Sequence, residues 1–178
     1  MNHISIRPAR TKYIPERDTP IIFIDNAPLD VLVAAAAPGL DTEGMLPFAS
    51  GTELFIDHDI FKKRLSPEVG STTVAPMLLC PDCMDVFCTT IVAELERTGQ
   101  QYIWHRTGLD KSPQKPFDTG DPDHPSFVLP DIGSQVEWFD EMGPMRFSVA
   151  NFEEAMGKLI KEAEDLRISP QGAAISHF

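Results

Sequence analysis

An α+β fold is predicted for this chain: an antiparallel sheet, with a C-terminal helix and a shorter N-terminal helix packed on it. Three observations carry the prediction. Thr89–Glu96 and Gln101–Thr107 both alternate in character and flank Thr98-Gly99, the pattern of an antiparallel hairpin. Phe152, Met156, Leu159, Ile160, Ala163 and Leu166 recur at helical spacing and make one apolar stripe. The 178 residues, 42% hydrophobic and 24% charged, are enough for one domain with a real core.

The elements follow in chain order. Residues 1–20 are polar and hold Pro8, Pro15 and Pro20, so they read as an irregular arm over the surface. Ile21–Ile24 is a short, β-branched strand ended by Asp25-Asn26. Pro28–Ala37 reads as a helix with Asn26 as its cap, Pro28 in its first turn and Pro38-Gly39 as its stop. Leu29, Leu32, Val33 and Ala36 share one face of it. Residues 40–52 read as a loop, and Asp57–Leu65 as a short helix capped by Asp57 and stopped by Ser66-Pro67. Val74–Leu79 is an apolar strand next to the hairpin, in which Pro76 calls for an edge or a bulge. A long proline-rich loop spans 110–133. Val136–Asp140 and Met145–Val149 read as strands, the second leading into the helix Asn151–Arg167. Asn151 and Glu154 resemble a capping box there, and Ser169-Pro170 ends the helix before a loose tail, 168–178.

Charge narrows the function classes. The net charge is −12, with a pI near 4.7. A phosphate backbone is bound by Lys and Arg that displace counterions, so nucleic acid is not an expected partner. Anionic lipid is excluded on the same ground. Attraction to a basic protein is allowed, and solubility alone also explains such a balance. The longest apolar run, Val31–Ala37, is far short of the roughly 18 residues of a spanning helix. The N-terminus, with Arg7 and Pro8 after Ile6, has no signal-peptide core. Three closely spaced cysteines, an odd number, point to reduced thiols and a cytoplasmic setting.

The strongest local motif is Cys80-Pro81-Asp82-Cys83, followed by Cys88. Two thiolates at this spacing can share one tetrahedral metal, because a tight turn brings both sulfurs to one point. Zinc would need further ligands, with His105, His58 or Asp85 as candidates; no second cysteine pair exists, and Met84 stands where a zinc knuckle commonly has glycine. A redox pair is the second option, but such a pair usually opens a helix and here a strand follows. Reduced, partly buried thiols in a turn between strands complete the options. The histidines (His3, His58, His105, His124, His177) form no clustered ligand pattern, and Asp57-His58-Asp59 is explained by helix capping. No nucleophile elbow and no phosphate-binding glycine loop is present, so no catalytic residues are assigned.

Residues 110–141 carry Asp110, Asp118, Asp121, Asp123, Asp131, Glu137, Asp140 and Glu141 against only Lys111 and Lys115, half of the net charge of −12. Phe117, Phe127, Trp138 and Phe139 are interleaved with them. Aromatic anchors ringed by charge suit a protein interface, where a few aromatics supply most of the energy. A solvated loop with its aromatics turned inward is the plainer reading.

The stretches Leu78-Leu79-Cys80-Pro81-Asp82-Cys83-Met84-Asp85 with Cys88, Tyr102-Ile103-Trp104, and Phe147-Ser148-Val149-Ala150-Asn151-Phe152-Glu153-Glu154-Ala155 resemble a widespread set of uncharacterised bacterial proteins, many of them named oxidoreductase. Ile21–Val33 is similar to the opening strand and leucine-rich helix of that set. The resemblance covers about half of the chain, departs at Met84 and in the longer acidic loop, and implies no particular activity. Small acidic proteins of this kind also resemble the immunity proteins of bacterial toxin systems.

The expectation is therefore an acidic binding protein, an inhibitor or immunity protein that neutralises a basic partner such as a toxin domain. Asp118, Asp121, Asp123, Asp131, Glu137, Trp138, Asp140 and Glu141 are its candidate contacts. The alternative is a zinc-binding or thiol-based protein, an enzyme among the options, centred on Cys80, Cys83 and Cys88, with His105 as a further ligand.

Overall fold

A computed structural model describes residues 1–50, 58–82, 88–113, 116–117, 126–127 and 132–168, of which 58–60, 116–117, 126–127 and 162–168 are described by backbone alone. The α+β class holds: antiparallel sheets, a long C-terminal helix and shorter helices. Strands β1 (Ile4–Ala9), β2 (Thr19–Ile24) and β3 (Ala27–Pro28) form one sheet, followed by helix α1 (Leu29–Ala36). The larger sheet has six strands. Its order is β10 (Val136–Trp138), β7 (Gln101–Asp110), β6 (Thr90–Arg97), β5 (Ser71–Leu79) and β4 (Leu46–Pro47), with β11 (Met145–Ser148) also on β7. Helix α2 (His58–Leu65) precedes β5, and helix α3 (Val149–Ile168) follows β11 directly. A two-residue bridge joins β8 (Pro116–Phe117) to β9 (Ser126–Phe127).

The hairpin forms where alternation predicts it. Thr98 closes its turn, donating from its N–H to the Gln101 carbonyl at 2.8 Å. Two irregularities bend the sheet: β5 slips register between Pro76 and Leu78, and β6 between Glu94 and Leu95. The first directly follows Pro76, which lies where β5 has no strand on its other side among the described residues and so needs no ladder donor. Tyr102, Trp104, Leu95 and Ala93 are buried against α3 and the small sheet in one continuous core with Ile4, Ile22 and Phe48. The α3 stripe is buried where its side chains are described: Phe152, Met156 and Leu159 are covered, and Ile160 partly so. Phe152 stacks on Tyr102 at a centroid distance of 4.3 Å and leans on Phe147 at 5.7 Å.

Three local readings are corrected. Residues 1–20 are not all irregular, because Ile4–Ala9 pairs with β2 along its whole length. Asn26 does not cap α1. It sits with Asp25 at positive φ, 72° and 49°, in the tight turn between β2 and β3, and its side chain accepts from Arg7, so Pro28 takes the cap position without a side-chain bond. The cap of α3 is Ser148, whose hydroxyl accepts from the Asn151 N–H at 3.2 Å. Asn151 reaches across to β1 instead, accepting from the Ile4 N–H and donating to the Ile4 carbonyl, both at 2.9 Å. Asp57 and Ser169-Pro170 lie outside the described residues.

Asp25 also ties down the start of β1, accepting from the Asn2 side chain and from the His3 N–H. The Asn2 amide first, and the His3 N–H second, hold its carboxyl below the ordinary value of 3.8. Because the folded value is depressed, this tie is present above the ordinary value and is lost as pH falls through the folded one. Carbon-13 titration of the Asp25 carboxyl is expected to give a midpoint below 3.8, and Asn2→Ala should move it back up.

Candidate functional site

The hairpin and β10 build a polar constellation. Glu94 on β6 and Arg106 on β7 face each other across the ladder, and the guanidinium grips the carboxylate with two bonds, of 2.9 and 3.0 Å. The same guanidinium lies over the Trp138 ring at 4.1 Å from its centroid. A cation stacked on an aromatic and forked onto a carboxylate is held in one orientation, and so is the indole beneath it. One position along β7, His105 meets Glu96 at 2.7 Å. Sequence reasoning did not find Glu94, Glu96 and Arg106. Opposite charges at facing hairpin positions were the available signal.

Register decides that Trp138 arrives here. It pairs opposite Gly108, and a Cβ built on Gly108 would lie 2.6 Å from the Glu137 carbonyl oxygen and 3.0 Å from the Trp138 Cα. Only glycine lets β10 approach this closely. The stem of the long loop is clamped beside it. Asp110 accepts at one oxygen from the Ser112 N–H, the Ser112 hydroxyl and the Gly133 N–H, at 3.2, 2.6 and 3.1 Å. Arg64 of α2 donates to the Ile132 and Val74 carbonyls, joining that stem to β5.

Of the expected contact residues, Glu137, Asp140 and Glu141 are exposed and Trp138 is half-buried. Lys111 pairs with Glu137 at 3.7 Å. Phe139 is partly buried against the core, as the plainer reading of the aromatics requires. Asp118, Asp121, Asp123 and Asp131 lie outside the described residues, as does Cys83.

The cysteine reading assembles only in part. Cys80 is half-buried and Cys88 is exposed. They stand at the base of the β5–β6 loop, where the Cys80 N–H donates to the Thr89 carbonyl. His105 is not near them. It sits at the Glu94/Leu95 irregularity, five residues along β6 from Thr89, roughly 17 Å at the rise of a strand. Among the described residues no group of three or more His, Cys, Asp or Glu is placed to hold a metal. Purified protein is expected to carry less than one zinc per chain. Elemental analysis checks this; one zinc per chain, lost on replacing Cys80 and Cys83 by serine, would instead establish a metal centre. Chelator should then also unfold the domain, because the binding energy of a structural zinc is folding energy.

No helix among the described residues is long and apolar enough to cross a membrane. No protein-family model matches the chain. No curated protein and no solved structure matches it either. What fold and site define together is thus a class only: an α+β protein with an acidic, aromatic-centred sheet edge.

Proposed function

We propose that this chain is an acidic binding protein that neutralises a basic protein partner in the cytoplasm, as an immunity protein or inhibitor neutralises a toxin domain. The observation that supports it most is Trp138, half-buried and braced by the Arg106–Glu94 pair, with Asp140 and Glu141 exposed in the turn that follows it and Glu137 exposed on the opposite face of β10. A braced aromatic loses little freedom on binding, and surrounding carboxylates select a basic partner. A second reading, a zinc- or thiol-based protein at Cys80, Cys83 and Cys88, draws support from the backbone bond between Cys80 and Thr89, which sets Cys80 and Cys88 near the ends of the two strands at the base of one loop.

The test is co-expression with the product of the adjacent gene, then binding kinetics across a salt series. Exposed charges are screened beyond a Debye length of about 8–10 Å at physiological salt. Association should slow clearly between low and moderate salt while dissociation changes less. Charge reversal at Asp118, Asp121 and Asp123 should slow association further. Trp138→Ala should instead speed dissociation, by about 30-fold if it is a hot spot worth about 2 kcal/mol. Salt-independent kinetics, or full binding by the charge-reversed variant, would remove the inhibitor reading.

A further inference from the structure

Among the described residues three strand edges are closed by identifiable devices. On β1, Asn151 takes the outward N–H and C=O of Ile4, Lys158 donates to the outward carbonyl of Ile6 at 2.9 Å, and Pro8 has no N–H to offer. On β11, the Asn2 N–H donates to the Arg146 carbonyl at 2.7 Å and the Asn2 side chain accepts from the Arg146 N–H at 2.9 Å. On β5, Arg64 occupies the Val74 carbonyl, Pro76 lacks an N–H, and β4 pairs Leu78 and Leu79. Proteins blunt edges in this way because an open row of N–H and C=O groups is a template for another chain.

β10 carries none of these devices. Its ladder to β7 runs through the Lys111 N–H to the Gln135 carbonyl and the Phe139 N–H to the Thr107 carbonyl, both 2.9 Å. By antiparallel geometry Glu137 then exchanges its bonds with Leu109, and the N–H and C=O of Val136 and Trp138 point away from the sheet. Among the described residues nothing hydrogen-bonds those outward groups. Exposed Glu137 is on β10 itself, where it pairs with Lys111, and exposed Asp140 and Glu141 follow in the turn that leaves β10.

We propose that β10 is a strand-addition edge, on which an extended, lysine- or arginine-bearing segment of the partner pairs main chain to main chain with Val136 and Trp138. This rests on the binding reading above and names how the partner docks. Main-chain bonds supply affinity in such a mode, and alternate side chains supply specificity. The exposed carboxylates of Asp140 and Glu141, with Glu137 shared with Lys111, are the complement of basic side chains on the added strand.

The probe is a synthetic peptide of about nine residues alternating lysine and valine, long enough for one added strand, titrated into the full chain. Saturating peptide should slow hydrogen exchange at the Val136 and Trp138 amides. Val136→Pro removes one outward donor and spares the β7 ladder, so it should weaken binding about ten-fold or more relative to Val136→Ala, which trims the same core-packed side chain and keeps the donor. A peptide of the same composition with mixed L and D residues, which cannot lie as a strand, should bind more weakly than the L peptide. Unchanged exchange at both amides, equal binding by Val136→Pro and Val136→Ala, or equal binding by the mixed-chirality and L peptides, overturns strand addition. If the mixed-chirality peptide binds as well as the L peptide and loses affinity with salt, the acidic-binding reading survives on charge alone. If neither peptide binds, strand addition falls, and the broader reading is then decided by the co-expression kinetics.

Discussion

Phe152→Ala is expected to lower stability by about 3–5 kcal/mol, the usual range for deleting a buried aromatic. Phe152 is fully buried, stacks on Tyr102 and touches Phe147, so it joins α3 to both β7 and β11. Alanine leaves a cavity that none of these elements can close alone, because α3 is held along its length by Met156 and Leu159. For a chain of this size the melting temperature should fall by on the order of 10 °C. Denaturant unfolding with an unchanged slope checks the magnitude. A loss below about half a kcal/mol, the size of a surface change, would mean that α3 does not pack as described.

Gly108→Ala is expected to cost about 1–3 kcal/mol and to disable the site at the same time. The new methyl would meet the Glu137 carbonyl and a Val136 methyl at 2.6 Å, and the first of these is backbone that cannot rotate aside. β10 must then move off β7, carrying Trp138 away from the Arg106 guanidinium. Stability should drop only moderately, while partner affinity falls as far as it does for Trp138→Ala. Near-ultraviolet circular dichroism, read against Trp138→Phe to separate its signal from that of buried Trp104, and partner dissociation rates check the two halves separately. A variant with wild-type dissociation would show that the position of β10 does not matter for binding.

Local rules made several elements legible. The hairpin carries its own alternation and turn, and the α3 stripe carries its own period, so both could be read from short windows of sequence. An edge position or bulge at Pro76 could be read from its missing donor, and β5 has both there. Strand β1 was harder to read, although Ile4 and Ile6 alternate with Ser5 and Arg7, because Arg7, Pro8 and a polar tract beyond them resemble a surface arm. Its identity depends on β2 across the ladder and on Asn151 and Lys158 from α3. The same dependence misplaced the α3 cap. Ser148 and Asn151 are both competent caps three residues apart, and only the β1 edge waiting opposite Asn151 decides between them.

By itself the sequence determined the α+β class, the hairpin, the C-terminal helix and an acidic surplus centred on 110–141, since each of these is a property of neighbouring residues. Only the tertiary structure decided that Trp138 is braced by Arg106 and Glu94, that His105 is spent on Glu96 far from Cys80, and that nothing among the described residues hydrogen-bonds the outward groups of β10. Those facts hang on register between strands distant in sequence. Register is set by side-chain packing on both faces and by the close approach that Gly108 permits, neither of which any short stretch of chain encodes.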